Sequence, residues 1–260
     1  MAITQELTKE IEDILISSIR NKFANYKPET SQMPFHTRLL GKDRLALYSF
    51  IHSINTNFGV SIFEPIGFAL AQQNFKSAQK QIIAGSIISS EAHLIIQKII
   101  DNLTIASVSP DKPNEIDSIR AVCQKGTMVP VNLTRVDLMV ESSDNEFYFF
   151  DLKTAKPNAG NFREYKRTLL EWVAAFLAIN PEANINTLIA IPYNPYAPKP
   201  YARWTIRGMI DLENELKVAE EFWDFLGDGD IYQELLDCFE RVGIKLRDEI
   251  DNYFHEFKNR

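Results

Sequence analysis

Residues 133–153 read Leu133-Thr-Arg-Val-Asp137-Leu-Met-Val140, then Glu141-Ser-Ser-Asp-Asn145, then Glu146-Phe-Tyr-Phe-Phe-Asp151-Leu-Lys153. The outer runs are rich in β-branched and aromatic residues, as strands are, and the middle is a polar turn cluster. A β-hairpin is predicted. With a four-residue loop, Glu141 faces Glu146 and Asp137 faces Phe150; one bulge or a five-residue loop sets Asp137 opposite Asp151 instead. Alternation along the second strand puts Asp151 and Lys153 on one face. Phe147 to Phe150 is apolar on both faces, so Asp151 ends a buried strand, where an unpaired carboxylate is costly. Two carboxylates and an ammonium therefore converge on one small patch. Metal-assisted phosphodiester hydrolysis uses this set: carboxylates hold a divalent ion, the ion activates water, and a cation stands beside the nucleophile.

Outward from the hairpin, helical periodicity dominates. Ile3 to Phe23 carries Ile3, Leu7, Ile11, Ile14, Leu15 and Ile19 at helical spacing. A Pro-containing loop over 25–42 leads to a helix near Lys42 to Ile54, and a further helix is predicted over Ser61 to Lys80 with Pro65 in its first turn. Ser89 or Ser90 caps a helix reaching about Asn102. The state of Ile116 to Val122 is left open by its pattern. After the hairpin come a helix over Asn161 to Ile179, with Tyr165, Leu169, Trp172, Val173 and Phe176 on its apolar stripe, and a short buried strand, Asn186 to Ile191. Two helices separated at Gly227-Asp-Gly229 close the chain. One more strand is expected around Thr127 to Val131. The order helix, strand, strand, helix, strand makes this an α/β (α+β) fold, a mixed central sheet flanked by helices.

The 260 residues suit one domain with a large core, and 45% apolar with 24% charged residues is ordinary globular composition. Cys123 and Cys238 lack zinc-type spacing, which fits a reducing, cytoplasmic location. No secretory leader pattern is seen, and the longest apolar run, near Trp172 to Ile179, is too short to span a membrane. A net charge of −7 argues at first against a nucleic-acid partner. However, residues 211–260 hold 15 acidic and 6 basic side chains, and the remainder 20 and 22. The acidity belongs to the C-terminal helices, while Lys153, Lys156, Arg163, Lys166 and Arg167 form a basic cluster just after the hairpin.

Asp137 with Asp151-Leu-Lys153 resembles the motif of the PD-(D/E)xK nuclease superfamily, with Val136 where the name-giving proline would stand. Three further stretches resemble a family of type II restriction endonucleases that recognise GGNCC-like palindromes. They are Pro34 to Leu40 with Asn57 to Glu64, Asp151 to Asn158, and Ile191 to Tyr196 with Tyr201 to Thr205. The resemblance implies one restriction-endonuclease-like domain over 1–260: a helical extension to residue 60, a catalytic core over 61–192, and a recognition loop with C-terminal helices from 193. It implies Mg2+ held by Asp137, Asp151 and Glu64, with Lys153 orienting or deprotonating the attacking water. It also implies double-stranded DNA as substrate, a homodimer matched to the palindrome, and a cognate DNA methyltransferase protecting the host.

Glu64 also has a plain reading as an acid at a helix N-terminus, and Glu91 is a rival for the third carboxylate. Lys156, Arg163, Lys166 and Arg167 would meet phosphates beside the scissile bond, or form a solvated helix face. Asn158 and Thr154 would bond a phosphate or shape the turn into the helix. The Pro- and Tyr-rich loop from Pro192 to Tyr201 is stiff, which lowers the ordering cost of reading a groove. There Asn194 would contact a base or cap a turn, with Tyr196 beside it, and Arg203 and Arg207 would contact guanine O6 and N7. The histidines (His36, His52, His93, His255) show no ligand spacing; a DNA contact by His36 or Arg38 stays open. A repair nuclease with the same core, or a non-catalytic nucleic-acid-binding protein, are the alternatives.

Overall fold

The structure, a computed structural model, describes residues 3–26, 33–153, 156–157, 161–202 and 206–258. Its elements are α1 (Gln5–Asn25), α2 (Pro34–Leu40), α3 (Lys42–Phe58), a π-turn (Gly59–Phe63), α4 (Glu64–Asn74), β1 (Ser77–Ile82), β2 (Ile87–Ser89), α5 (Ser90–Thr104) and α6 (Lys112–Arg120). They continue with β3 (Met128–Pro130), β4 (Val136–Glu141), β5 (Glu146–Leu152), α7 (Phe162–Ile179), β6 (Asn184–Ile191), β7 (Leu216–Val218), α8 (Glu220–Gly227), α9 (Tyr232–Lys245) and α10 (Arg247–Lys258). No described helix is long and apolar enough to cross a membrane.

The chain divides into two compact units, residues 1–70 with 227–260, and residues 71–226. The expected segmentation cut at 60 and 192; instead both chain ends share one helical unit. There Leu7, Ile11 and Leu15 of α1 are buried, as are Leu235, Cys238 and Val242 of α9. Ile3 N–H donates to Glu234 and Arg241 pairs with Glu12, fastening α1 to α9. Tyr253 of α10 stacks on Phe23 and packs on Phe50 of α3, with ring centres 4.4 and 4.9 Å apart.

The second unit holds a five-stranded mixed sheet, order β1-β4-β5-β6-β7. β1, β4 and β5 run antiparallel in succession, and β6 and β7 are parallel to β5. The run Phe147 to Phe150 is central because both faces find aromatic partners. Phe147 and Phe149 pack on Phe176 of α7, and Tyr148 and Phe150 pack on Phe225 of α8. α7 crosses from β5 to β6 and buries far more than one stripe, including Leu169, Leu170, Trp172, Val173, Ala174, Ala175 and Leu177. A helix buried almost all round is an interior element.

Several expectations are corrected, and two open alternatives are settled. The helix predicted to Lys80 stops at Asn74, and Ser77–Ile82 is an edge strand paired with β4. Its polar sequence, Ser-Ala-Gln-Lys-Gln-Ile, has no strand alternation; the free edge of β4 decides its state. The strand near Thr127 forms, but pairs with β2 in a separate two-stranded ladder. Lys112–Arg120 is a helix capped by Asp111, and three helices rather than two close the chain. Ser89, not Ser90, caps α5: its side chain accepts from Ala92 N at 3.0 Å.

Gly85, between β1 and β2, lies against α7, and a Cβ there would sit 2.7 Å from the Ala175 carbonyl oxygen. That oxygen is main chain in a buried helix and cannot step aside. Gly85→Ala is expected to cost about 1–3 kcal/mol, read from the denaturant midpoint.

Candidate active site

The hairpin has the longer of the two loops considered. Glu141 pairs with Phe147, leaving five residues between them, and Ser142 N–H donates to the Glu146 carbonyl at 2.9 Å. Asn145 takes the left-handed conformation at φ 61° that such turns require. Leu138 pairs with Phe150, so one step further along the ladder Asp137 faces Asp151.

Both oxygens of Asp137 accept hydrogen bonds, Oδ2 from Leu152 N–H at 2.7 Å and Oδ1 from the Gln81 amide at 3.1 Å. Asp151 is 4% exposed. Its Oδ1 lies 2.6 Å from Lys153 Nζ, and this ammonium also stands 4.7 Å from the centre of the Tyr165 ring on α7. β6 fixes the backbone here: Lys153 N–H donates to the Ala190 carbonyl, one step beyond the end of β5.

Burial pushes the Asp151 carboxyl up to about 6; the Lys153 charge opposes the rise and neighbouring Asp137 adds to it. Burial also raises Asp137, against the hydrogen bond from Leu152 and the Lys153 charge. Two facing acids that both resist ionisation, with the Lys153 ammonium on Asp151, form among the described residues a patch short of positive charge. Their oxygens are donors of the kind that hard divalent cations prefer, so the residues fit such an ion.

The remaining expected residues are placed by their own elements. Glu64 opens α4 in the helical unit and is buried. Glu91 is exposed in the first turn of α5, where it favours the helix dipole. Lys156 is exposed with its Nζ 5.3 Å from the Tyr196 ring centre. Arg163 and Arg167 reach α5, where they meet Asp101 and Gln97. Lys166, expected beside them at a phosphate, is instead fully buried. It pairs with Glu215 and Glu115, each at 2.5 Å, so its charge is committed inside the unit. Asn194 closes its own loop: its amide donates to the Lys199 carbonyl at 2.8 Å and its oxygen accepts from Tyr196 N–H at 2.9 Å. That is the turn-capping alternative. Arg207 is exposed; Asn158, Thr154 and Arg203 lie outside the described residues.

Sequence reading missed Gln81, the Leu152 amide and the partnership of Tyr165 with Lys153. Gln81 lies one residue past the stretch misread as helix, a main-chain amide carries no side-chain signal, and Tyr165 was legible only as part of an apolar stripe.

Residues 3–243 match the family model described as type II restriction endonuclease, HinfI. The chain belongs to the HinfI family. Its similarity extends to the type II restriction enzyme HgiEI of Herpetosiphon aurantiacus, 23% identical over 272 residues, 96% of this chain and 98% of the relative. HgiCII of the same organism is 25% identical over 228 residues, 84% of this chain and 80% of the relative. MjaII of Methanocaldococcus jannaschii is 24% identical over 271 residues, 93% of this chain and 72% of the relative. As a member of the HinfI family, the chain is a restriction endonuclease. The match runs through both compact units, so the helical unit is family inheritance and not an unrelated appendage.

Proposed function

We propose that this HinfI-family protein is a Mg2+-dependent, site-specific DNA endonuclease of the PD-(D/E)xK kind. The observation that carries the reading is the facing pair Asp137 and Asp151 with Lys153 on the second acid. Asp137 and Asp151 would hold the ion, and the first accepts hydrogen bonds at both oxygens. Bound there, Mg2+ would supply Lewis acidity to the attacking water and to the phosphate. Lys153, one quarter exposed and 2.6 Å from Asp151, would orient the attacking water and offset the charge that develops at the phosphate. Glu64 enters this reading as the third acid through the resemblance alone. Lys156, Arg163, Arg167, Tyr196 and Arg207 contact the DNA, together with Asn158 and Arg203.

The target in this reading is a short GGNCC-type palindrome, and the working form is a homodimer, because a palindrome presents two equivalent strands. Exposed apolar side chains support a partner: α2 buries none of its residues, and Phe35 and Leu39 are more than four-fifths exposed. A methyltransferase of the same specificity protects the host genome.

Phage DNA incubated with the protein and Mg2+ is expected to yield discrete fragments, and none with Asp151→Ala. In solution the protein is expected at twice its 29.8 kDa chain mass by light scattering. A smear in place of bands would assign a general or repair nuclease. Intact DNA with the wild-type chain would end the catalytic reading.

A further inference from the structure

Gln81 is the one residue of β1 whose backbone leaves the strand conformation. Its φ is +54°, in the left-handed region, and it is neither glycine nor asparagine. Such a residue is strained there, and it persists only where the surroundings enforce it. The enforcement is visible on both sides. Lys80 pairs with Leu138 and Ile82 with Val136, so the strand is in register before and after the break, and Gln81 stands opposite Asp137. Its carbonyl accepts from Arg135 Nη1 at 2.7 Å, and its side-chain amide donates to Asp137 Oδ1 at 3.1 Å.

A break in the pleat re-aims a side chain, as bulges do beside active sites. Here the side chain is brought to the acid that faces Asp151. We infer that Gln81 is a positioning residue for Asp137, fixing the plane of the carboxylate that receives the divalent ion. The inference rests on the metal-dependent nuclease reading above. Leu152 N–H holds Oδ2, and the Asp151 side chain also hydrogen-bonds Asp137. Gln81 is the partner that holds Oδ1 and so defines the plane of the carboxylate. Partners of this kind, one step behind a metal ligand, typically govern affinity by about 10–100-fold.

The test uses the full chain and two variants. Gln81→Gly suits the left-handed backbone and removes the amide; Gln81→Asn tolerates that backbone but is one methylene shorter. Calorimetric titration with Mn2+ in the absence of DNA is expected to show affinity lower by about 10–100-fold in both. The Mg2+ concentration giving half-maximal cleavage is expected to rise in parallel, with the rate largely recovered at saturating Mg2+. Thermal unfolding in chelator is expected to leave Gln81→Gly at least as stable as wild type, because backbone strain is relieved. A purely structural glutamine would change stability and leave Mn2+ affinity alone, and that result overturns the inference. If the wild type binds no Mn2+ and cuts no DNA, the nuclease reading itself falls. If the wild type does both and Gln81→Gly binds Mn2+ equally well, only the role of Gln81 is lost.

Discussion

Asp151→Asn is expected to abolish cleavage, by roughly 10^3-fold or more, while making the metal-free protein more stable near neutral pH. The two effects share one cause. Burial lifts the Asp151 carboxyl from its ordinary 3.8 to about 6 in the folded protein. Between those values the folded state keeps a proton that the unfolded chain has released. The stability contributed by this group is therefore highest below about pH 4, declines as pH rises, and is fully lost above about pH 6. A rise from 3.8 to about 6 corresponds to about 3 kcal/mol, the strain of a buried charge whose counter-ion among the described residues is Lys153. Asparagine is neutral at every pH and fills the same space.

In chelator at pH 7, Asp151→Asn is thus expected to unfold at higher temperature than wild type, with the gap closing toward pH 4. Adding Mg2+ is expected to stabilise wild type alone. Because the ion competes with the proton, its affinity for wild type rises as pH increases through about 6. Equal unfolding of wild type and variant across this range would contradict the burial argument, and retained cleavage would remove Asp151 from the site.

Lys166→Met is expected to be the most destabilising single change outside the site. Lys112 and Lys166 share Glu215, at 2.7 and 2.5 Å, and Lys166 also pairs with Glu115. All four are buried, and the group ties α6 and α7 to the residue preceding β7. Burial lowers Lys112 and raises Glu115, whereas the two lysines outweigh burial at Glu215 and hold it below its ordinary value. Removing one lysine leaves a buried negative charge uncompensated, which costs about 3–5 kcal/mol. At about 2–4 °C per kcal/mol, the loss is readily measured in a melt. The double change Lys166→Met with Glu115→Leu removes one charge of each sign and keeps the Lys112–Glu215 pair; it is expected to recover most of the loss. In conditions where Lys166→Met is folded, the salt dependence of its DNA binding is expected to match wild type, since a lost phosphate contact would lower the slope by about one. A lowered slope would restore Lys166 to the DNA face.

The two lysine-bearing segments show how far a sequence can be read. Lys153 lies beside Asp151, as expected, because that position follows from strand alternation and from Asp151 two residues earlier. Lys166 was misplaced because helical spacing puts it beside Arg163 and Arg167, and nothing local reveals that Glu115 and Glu215 wait on the other side. Charge on a helix usually faces water, and only the packing of three elements onto one another reverses that expectation. Strand β1 repeats the lesson for backbone. Its residues carry no strand signal, and the open edge of β4 supplies the hydrogen bonds that make it one.

By itself the sequence determined the hairpin, the two facing faces of aromatic packing that bury its second strand, and the choice of acids and ammonium at its end. These are local consequences of alternation and composition, and they hold in any context that buries the strand. The tertiary structure alone decided the five-residue register that sets Asp137 against Asp151, the strained Gln81 that holds it, and the burial of Lys166. Each of these depends on which atoms meet across distant parts of the chain, where pairing and desolvation, not propensity, set the energy.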